Sequence, residues 1–479
     1  MDNLQAIMPM LIVTLSAAAT MLAESFRRKG EQMPMGGLGL IGLVGAAIAA
    51  VLLWNRNATA FGVVQADNFA LFITLVLCGV GIFTIAFSSQ VIGREGVPAG
   101  EYYTLTLFGI AGMMLMASAI DLLVIFLALE VLSIAVYVLT GIRRTDPAGS
   151  EAAFKYFLLG AFSSAFFLYG VAFAYVVAGS TRLDRIAEAV AMHGTGDSSH
   201  MLVMLALGLL IVGFAFKVSA VPFHVWTPDA YEGAPTVVTG FMSTGVKAAA
   251  FAAFVRVFLS TFEPLRGDWS TPLWWIAVAT MIVGTVVGVV QSNVKRMLAY
   301  SSIAHGGYLL VGLVAANAVG KSAILFYLAA YALTNLGAFG VAALIATQER
   351  QNAELRDFSG LWYSRPALAA AMTIFLLSLG GFPPTAGFVG KWYIFSAAVE
   401  QGYVGLAIIG VLTSVVSVFY YLRIIVMMYM SESKAAYEPP VVSATSVVGL
   451  SAAVFGVLYF GLLPTPLIEM ARRSIETIF

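Results

Sequence analysis

Stretches of about 20 apolar residues, the length a helix needs to cross a bilayer core of about 30 Å, follow one another along the whole chain. About fourteen can be counted, centred near residues 14, 45, 78, 110, 131, 166, 210, 247, 281, 305, 333, 383, 417 and 456. The runs are continuous and lack the in–out alternation of a membrane barrel strand, so the pattern predicts an all-α integral membrane protein. Basic residues in alternate loops orient it. Arg27, Arg28, Lys29, Arg94, Arg143, Arg144, Lys295, Arg296, Arg350, Arg356, Arg365 and Lys434 fall on one side, and Arg56, Arg182, Arg185, Arg266, Lys321, Arg472 and Arg473 on the other. The larger set is expected to be cytoplasmic, which with an even number of spans puts both termini in the periplasm. The opening Met1-Asp-Asn-Leu-Gln-Ala-Ile-Met-Pro9 leads directly into an apolar run and reads as a retained span, not a signal peptide.

Two spans are interrupted by proline. The seventh contains Pro222 and Pro228, and the twelfth contains Pro383 and Pro384. Proline removes the donor to the carbonyl four residues earlier, which frees Val218, Leu379 and Gly380 as acceptors. Non-helical backbone at membrane depth persists only beside protein or a wet cavity. Broken spans in corresponding places also point to an inverted repeat and its ion path. The chain therefore divides into residues 1–100 with three N-terminal spans, 101–265 with spans four to eight, 270–432 with spans nine to thirteen in inverted orientation, and 440–479 with a C-terminal span. The lysines do not superpose: Lys217 lies five residues before Pro222, whereas Lys391 lies seven after Pro384.

Composition sharpens this. Of the 479 residues 60% are hydrophobic and 10% charged, against roughly 25% charged in a soluble domain. With 25 basic and 25 acidic residues, no basic field exists to hold nucleic acid. The single cysteine, Cys78, rules out an iron–sulfur cluster, a thiolate zinc site or a disulfide within the chain.

The few charges inside spans carry the functional expectation, because a central Asp, Lys or Arg costs roughly 2.5–3.5 kcal/mol and needs a partner, a cavity or a task. Glu130 sits at mid-span with Ser133 and Tyr137 on the same helical face; the plainer reading is a structural ion pair. Lys247 is too far from either surface to snorkel easily. Lys217 and Lys391 adjoin the two breaks, where freed carbonyls supply a polar setting. His305, ten residues beyond Lys295-Arg296, reaches mid-membrane and suits a proton relay, although a lone histidine often only packs. Lys155 reads equally as an interfacial anchor. His224, Asp229 and Glu232 flank the first break, where they either feed protons in or are simply solvated. Arg423 reads as structural. Lysine gains and loses its proton as its surroundings change, whereas arginine does not release it. Two unit charges about 4 Å apart interact by about 4 kcal/mol at an effective dielectric of 20, so moving Glu130 away from a lysine partner would act as a switch.

Two motif matches fail. Gly37-Leu-Gly39-Leu-Ile-Gly42 lies in an apolar span with no preceding strand. Gly320-Lys321-Ser322 lacks the first glycine of a phosphate loop, having Ala315 instead. Moving one proton against 100 mV costs about 2.3 kcal/mol, so the drive belongs to a partner or to a second ion gradient.

Three segments carry a family resemblance. Lys217-Val-Ser-Ala-Val-Pro-Phe-His-Val-Trp-Thr-Pro-Asp-Ala-Tyr-Glu-Gly-Ala-Pro235, Lys295-Arg-Met-Leu-Ala-Tyr-Ser-Ser-Ile-Ala-His305 and Gly381-Phe-Pro-Pro-Thr-Ala-Gly-Phe-Val-Gly-Lys391 closely resemble the antiporter-like subunits of respiratory complex I, the bacterial proton-pumping NADH:quinone oxidoreductase. The resemblance covers nearly the whole chain. The Trp-Thr-Pro-Asp-Ala-Tyr sequence, the lysine at position 391 and the stop soon after the fourteenth span set it apart from the M and L branches of that family and align it with the remaining one. The resemblance implies that Glu130 pairs with Lys217, that Lys247 is the central relay and Lys391 the terminal one, with His305 as a connecting relay. It further implies no redox cofactor in this chain: NADH, FMN, iron–sulfur clusters and quinone belong to partner subunits of a proton-translocating reductase. Its neighbours would be the homologous subunit M and the small subunits J, K and A, set with membrane lipid in the bacterial inner membrane. The rival is a subunit of a multisubunit sodium/proton antiporter, and the third reading a membrane scaffold with vestigial charges.

Overall fold

The computed structural model describes residues 2–28, 34–193, 198–346, 354–432 and 442–478. Lys29, Arg350 and Lys434, assigned above to the more basic side, lie outside them, as do residues 440, 441 and 479 at the edges of the C-terminal segment.

The chain opens with α1 (Asp2–Phe26), α2 (Met35–Leu52), a hairpin of β1 (Ala58–Ala60) and β2 (Val64–Ala66), and α3 (Asn68–Ser88). Then come α4 (Ala99–Ser118), α5 (Leu122–Thr140), α6 (Pro147–Ala178), α7 (Leu183–His193), α8 (Ser198–Lys217) and the short α9 (Trp226–Gly233). The next helix, α10 (Thr236–Thr261), contains two π-helical turns, Met242–Val246 and Val257–Thr261. It is followed by α11 (Arg266–Val289), α12 (Val294–Ala315), α13 (Ala318–Ile345), α14 (Pro366–Gly380), α15 (Ala386–Glu400), α16 (Val404–Met430), α17 (Ala444–Leu462) and α18 (Thr465–Ile475).

Among the described residues twelve helices are long and apolar enough to cross a membrane. Two further expected spans correspond to the 20-residue α4 and to the α14–α15 pair of 15 residues each. Several helices begin on a side chain that accepts a backbone N–H of the first turn, namely Asp67, Asp121, Asp146, Asn293, Asn317 and Ser443. These caps supply the polar punctuation that sets where each apolar run becomes a helix.

Helices α10, α12 and α13 are almost wholly enclosed, while α1, α6 and α17 keep broad apolar faces outward. At one end of the bundle lie the hairpin and both chain ends: Asn3 accepts from the Phe61 N–H, and Thr477 accepts from the Phe69 N–H. At the opposite, more basic end Arg143 pairs with Asp146 and Lys295 donates to the carbonyls of Glu232 and Ala234. Two helices the hydropathy scan does not anticipate, α7 and α18, pack an apolar stripe (Leu183, Ile186 and Val190; Leu467, Ala471 and Ile475) onto the bundle at the hairpin end. The segment after residue 440 is thus a span plus an amphipathic helix, because 11 residues with Glu469, Arg472 and Arg473 on one face are too short and too charged to cross.

Both broken spans are present. Helix α8 stops at Lys217, Ser219 takes a positive φ of 62°, Val221–Pro222 is cis, and helix resumes at Trp226. Helix α14 stops at Gly380, Gly381 adopts φ 82°, Pro383–Pro384 is cis, and α15 starts at Ala386. The positive φ at Gly381 is accessible because glycine has no Cβ.

Candidate proton-transfer site

The structure buries the three candidate lysines in the spans, with Lys295 buried as well at the basic end. Lys217, Lys247 and Lys391 are 3%, 2% and 5% exposed. Among the described residues no carboxylate lies within ion-pair reach of any of them; each ammonium is held by neutral oxygens and an aromatic face.

Lys217 is the last residue of α8. Its Nζ donates to Ser133 Oγ at 2.7 Å and lies 5.6 Å from the Tyr137 ring centre and 5.7 Å from that of Tyr156, a cation–π setting. Tyr156 stacks flat on Trp226 at 4.1 Å, and the Trp226 indole N–H donates to the Phe216 carbonyl across the break. The sequence reading expects a direct Glu130–Lys217 pair, and here the geometry differs. Ser133, one turn along the same face of α5, takes the ammonium, while the buried Glu130 Oε1 has no hydrogen-bond partner among the described residues. The helix that carries Glu130 thus also carries the acceptor of the Lys217 ammonium.

Lys247 follows directly on the first π-helical turn of α10. Such turns shift the helical register by one residue and recur at functional sites. Its Nζ donates to both the hydroxyl, at 2.7 Å, and the carbonyl of Ser302 on α12, and lies 5.5 Å from the Tyr331 ring centre. Gly306, one turn further along α12, faces the first break: a Cβ there would lie 3.0 Å from the Val218 carbonyl oxygen and 3.7 Å from Lys247 Nζ.

Lys391 on α15 reaches back to its own break, donating at 2.7 Å to the Leu379 carbonyl that Pro383 frees and at 2.7 Å to Ser414 Oγ on α16. Its Nζ is 5.1 Å from the centre of the Tyr308 ring. Between Lys247 and Lys391 stands His305. Its Nδ1 bonds the Tyr327 hydroxyl, its Nε2 lies 3.2 Å from the Tyr421 hydroxyl, and that hydroxyl also bonds Ser301. The buried hydroxyls of Tyr308, Tyr331, Tyr420 and Thr285 line the same region without a protein partner among the described residues. Buried hydroxyls of this kind are met by ordered water.

Lys155 lies elsewhere, at the rim of the basic end. It is 45% exposed and paired with Glu151 at 2.8 Å and Asp229 at 3.0 Å. Asp229 and Glu232 both bind Arg296 at 2.8 Å. Lys155, Glu151, Asp229 and Glu232, with Arg143 and Asp146, line a cavity of about 260 Å³. His224 is half-buried beside the break, its Nδ1 without a partner among the described residues. In the neighbouring loop, burial pushes the Glu95 carboxyl above its usual range although Arg143 pulls the other way. Arg423 donates to the Val289 and Gln291 carbonyls at the end of α11 and holds that terminus.

Sequence reasoning missed the acceptors Ser302, Ser414 and Tyr421, which nothing local distinguishes from packing residues. It also missed a buried ion pair, Asp67 with Arg256 at 2.8 Å. An arginine inside an otherwise apolar span was the available signal for that pair.

Comparison with known proteins gives a consistent answer. Residues 119–417 match the pattern of the NADH:quinone oxidoreductase/Mrp antiporter transmembrane family. NADH-quinone oxidoreductase subunit N of Trichlorobacter lovleyi is 45% identical, over 99% of this chain and 98% of its own length. A chain of respiratory complex I from Thermus thermophilus, solved with bound aureothin, superposes with a TM-score of 0.81 at 35% identity, covering 96% of this chain and 98% of that one. A chain of the Mrp complex from Dietzia sp. DQ12-45-1b has the same TM-score at 21% identity, with 100% and 97% covered, and so shares the fold alone. Identity that high along the full length favours the oxidoreductase reading over the antiporter one, and the chain belongs to the NADH:quinone oxidoreductase/Mrp antiporter family, in its complex I subunit N branch.

Proposed function

We propose that this subunit carries protons through Lys217, Lys247 and Lys391, with Glu130 biasing the first lysine and His305 joining the second to the third. The observation that carries this reading is that the Lys217, Lys247 and Lys391 ammonium groups each rest on neutral acceptors beside the face of a tyrosine ring. Such a group can give up its proton without stranding a buried carboxylate, whereas breaking a buried ion pair leaves an uncompensated charge. Lys155 and His224, with Asp229 and Glu232, gather protons at the basic end, which is the cytoplasmic one in a bacterial inner membrane; the hairpin end with both termini is then periplasmic.

The chain is a non-redox part of the reductase. NADH oxidation at FMN, electron transfer through iron–sulfur clusters and quinone reduction take place in partner subunits, with subunit M and the small subunits J, K and A as its neighbours in the membrane arm. The test is the assembled complex in sealed vesicles with Lys247→Met. Losing a hydrogen-bonded charge costs about 1.5–3 kcal/mol, so NADH-driven pumping is expected to fall by roughly tenfold or more. Undiminished pumping overturns the reading. Proton exchange that depends on sodium and not on NADH favours the antiporter.

A further inference from the structure

The helix that holds Lys247 is not alike in its two directions. Toward the basic end, Asn335 donates to Ser243 at 2.7 Å and Thr239 donates to the Tyr231 carbonyl at 2.8 Å, so side-chain oxygens continue past the lysine. Toward the hairpin end, every residue from 248 to 255 is alanine, phenylalanine or valine, none more than 1% exposed. The run ends at Arg256, nine positions on, about 14 Å of helix rise.

Arg256 is locked. Its Nη1 and Nη2 donate to the two Asp67 oxygens at 2.8 and 2.9 Å, Nε and Nη2 share the Ala117 carbonyl at 3.3 Å, and the guanidinium lies 5.0 Å from the Phe69 ring centre. Asp67 in turn caps α3 by accepting from the Ala70 N–H at 2.8 Å. The two side chains are 4% and 0% exposed. The pair thus ties together α3, the end of α4 and α10 directly before the second π-helical turn.

We propose that the Asp67–Arg256 pair, with the apolar stretch before it, is the seal that closes Lys247 off from the hairpin end of the bundle. A guanidinium does not release its proton, so no relay runs across it, and its bidentate grip on Asp67 holds it in place at the end of the apolar stretch. Lys247 is left with exchange toward the basic end and sideways, through Ser302 and His305, toward Lys391. The pair makes transfer one-sided. This rests on the reading of Lys247 as a proton carrier.

The experiment uses the assembled complex in sealed vesicles without NADH, following the decay of an imposed pH step. Arg256→Ala removes the pair and is expected to speed that decay severalfold. Asp67→Asn keeps the shape and the helix cap while weakening the bidentate grip, and is expected to give a smaller increase; electron transfer from NADH to quinone checks assembly of both. Adding Lys247→Met to either variant is expected to restore the slow decay. Decay as slow as in the unaltered complex in both variants, each assembled, overturns the seal. So does a leak that persists in the Lys247→Met background, because it does not pass through Lys247. The reading of Lys247 as a carrier fails separately, if NADH-driven pumping survives Lys247→Met alone.

Discussion

In the first broken span the lysine is the last residue before the break and reaches away from it, to Ser133 on α5, while the Val218 carbonyl freed by Pro222 faces Gly306. In the second the lysine lies beyond the break and reaches back to the Leu379 carbonyl freed by Pro383. The difference gives the two lysines different surroundings. Lys217 depends on a neighbouring helix that also carries Glu130, so movement of α5 relative to α8 changes its surroundings. Lys391 is tied to the backbone of its own broken span. The first arrangement suits a group that responds to a signal, the second a group that passes a proton on and resets.

The largest expected effect comes from Lys391→Arg. Arginine can still donate to Leu379 and Ser414 but does not release its proton. Assembly and NADH-to-quinone activity of solubilised complex should survive better than in Lys391→Met, while pumping is lost in both. Pumping retained in the arginine variant would mean the group only pins the break. Next comes Ser133→Ala, which removes the one hydrogen-bond acceptor that Lys217 has among the described residues. A hydrogen bond to a charged group contributes about 1.5–3 kcal/mol, so pumping rates should change about tenfold or more. Ser414→Ala should do less, since Lys391 keeps Leu379. Equal effects in the two serine variants would erase the distinction between the breaks. Gly306→Ala tests the remaining contact: its Cβ would crowd the Val218 carbonyl at 3.0 Å, and overpacking of this kind costs about 1–3 kcal/mol. A lowered thermal midpoint with impaired pumping is expected, and an unchanged midpoint would show that α12 gives way.

What could be read from the sequence follows the range of the forces involved. Apolar length and proline chemistry are local, so the all-helical membrane fold and the interruptions at Pro222 and at Pro383 and Pro384 were legible. So was the oddity of lysine in lipid-length runs. Ser133 and Tyr137 were legible as well, because a single helical face carries them with Glu130. Which oxygen each ammonium would choose was not. Ser302 and Ser414 meet their lysines only through helix packing, and Asp67 meets Arg256 across 189 positions. The π-helical turn before Lys247 leaves no signature in residue type. Helix α18 escaped because a hydropathy count looks for length, whereas its short amphipathic face is a matter of periodicity.

The smallest expected effect is at the rim, where Lys155 contrasts with the buried lysines in every respect. It is 45% exposed, its partners Glu151 and Asp229 are 67% and 34% exposed, and Asp229 has a second cation in Arg296. Exposed ion pairs contribute about 0–1 kcal/mol, and screening over about 8 Å at physiological salt weakens them further. Lys155→Ala should leave stability within that margin and slow pumping at most about twofold, with the deficit largest at low ionic strength, where the charge at the mouth of the cavity counts most. A loss of pumping as deep as that of Lys247→Met, at every salt concentration, would move Lys155 from the rim into the relay. It would then place the first step of transfer on α6, ahead of Lys217, and the neutral-acceptor rule shared by Lys217, Lys247 and Lys391 would no longer describe the whole path.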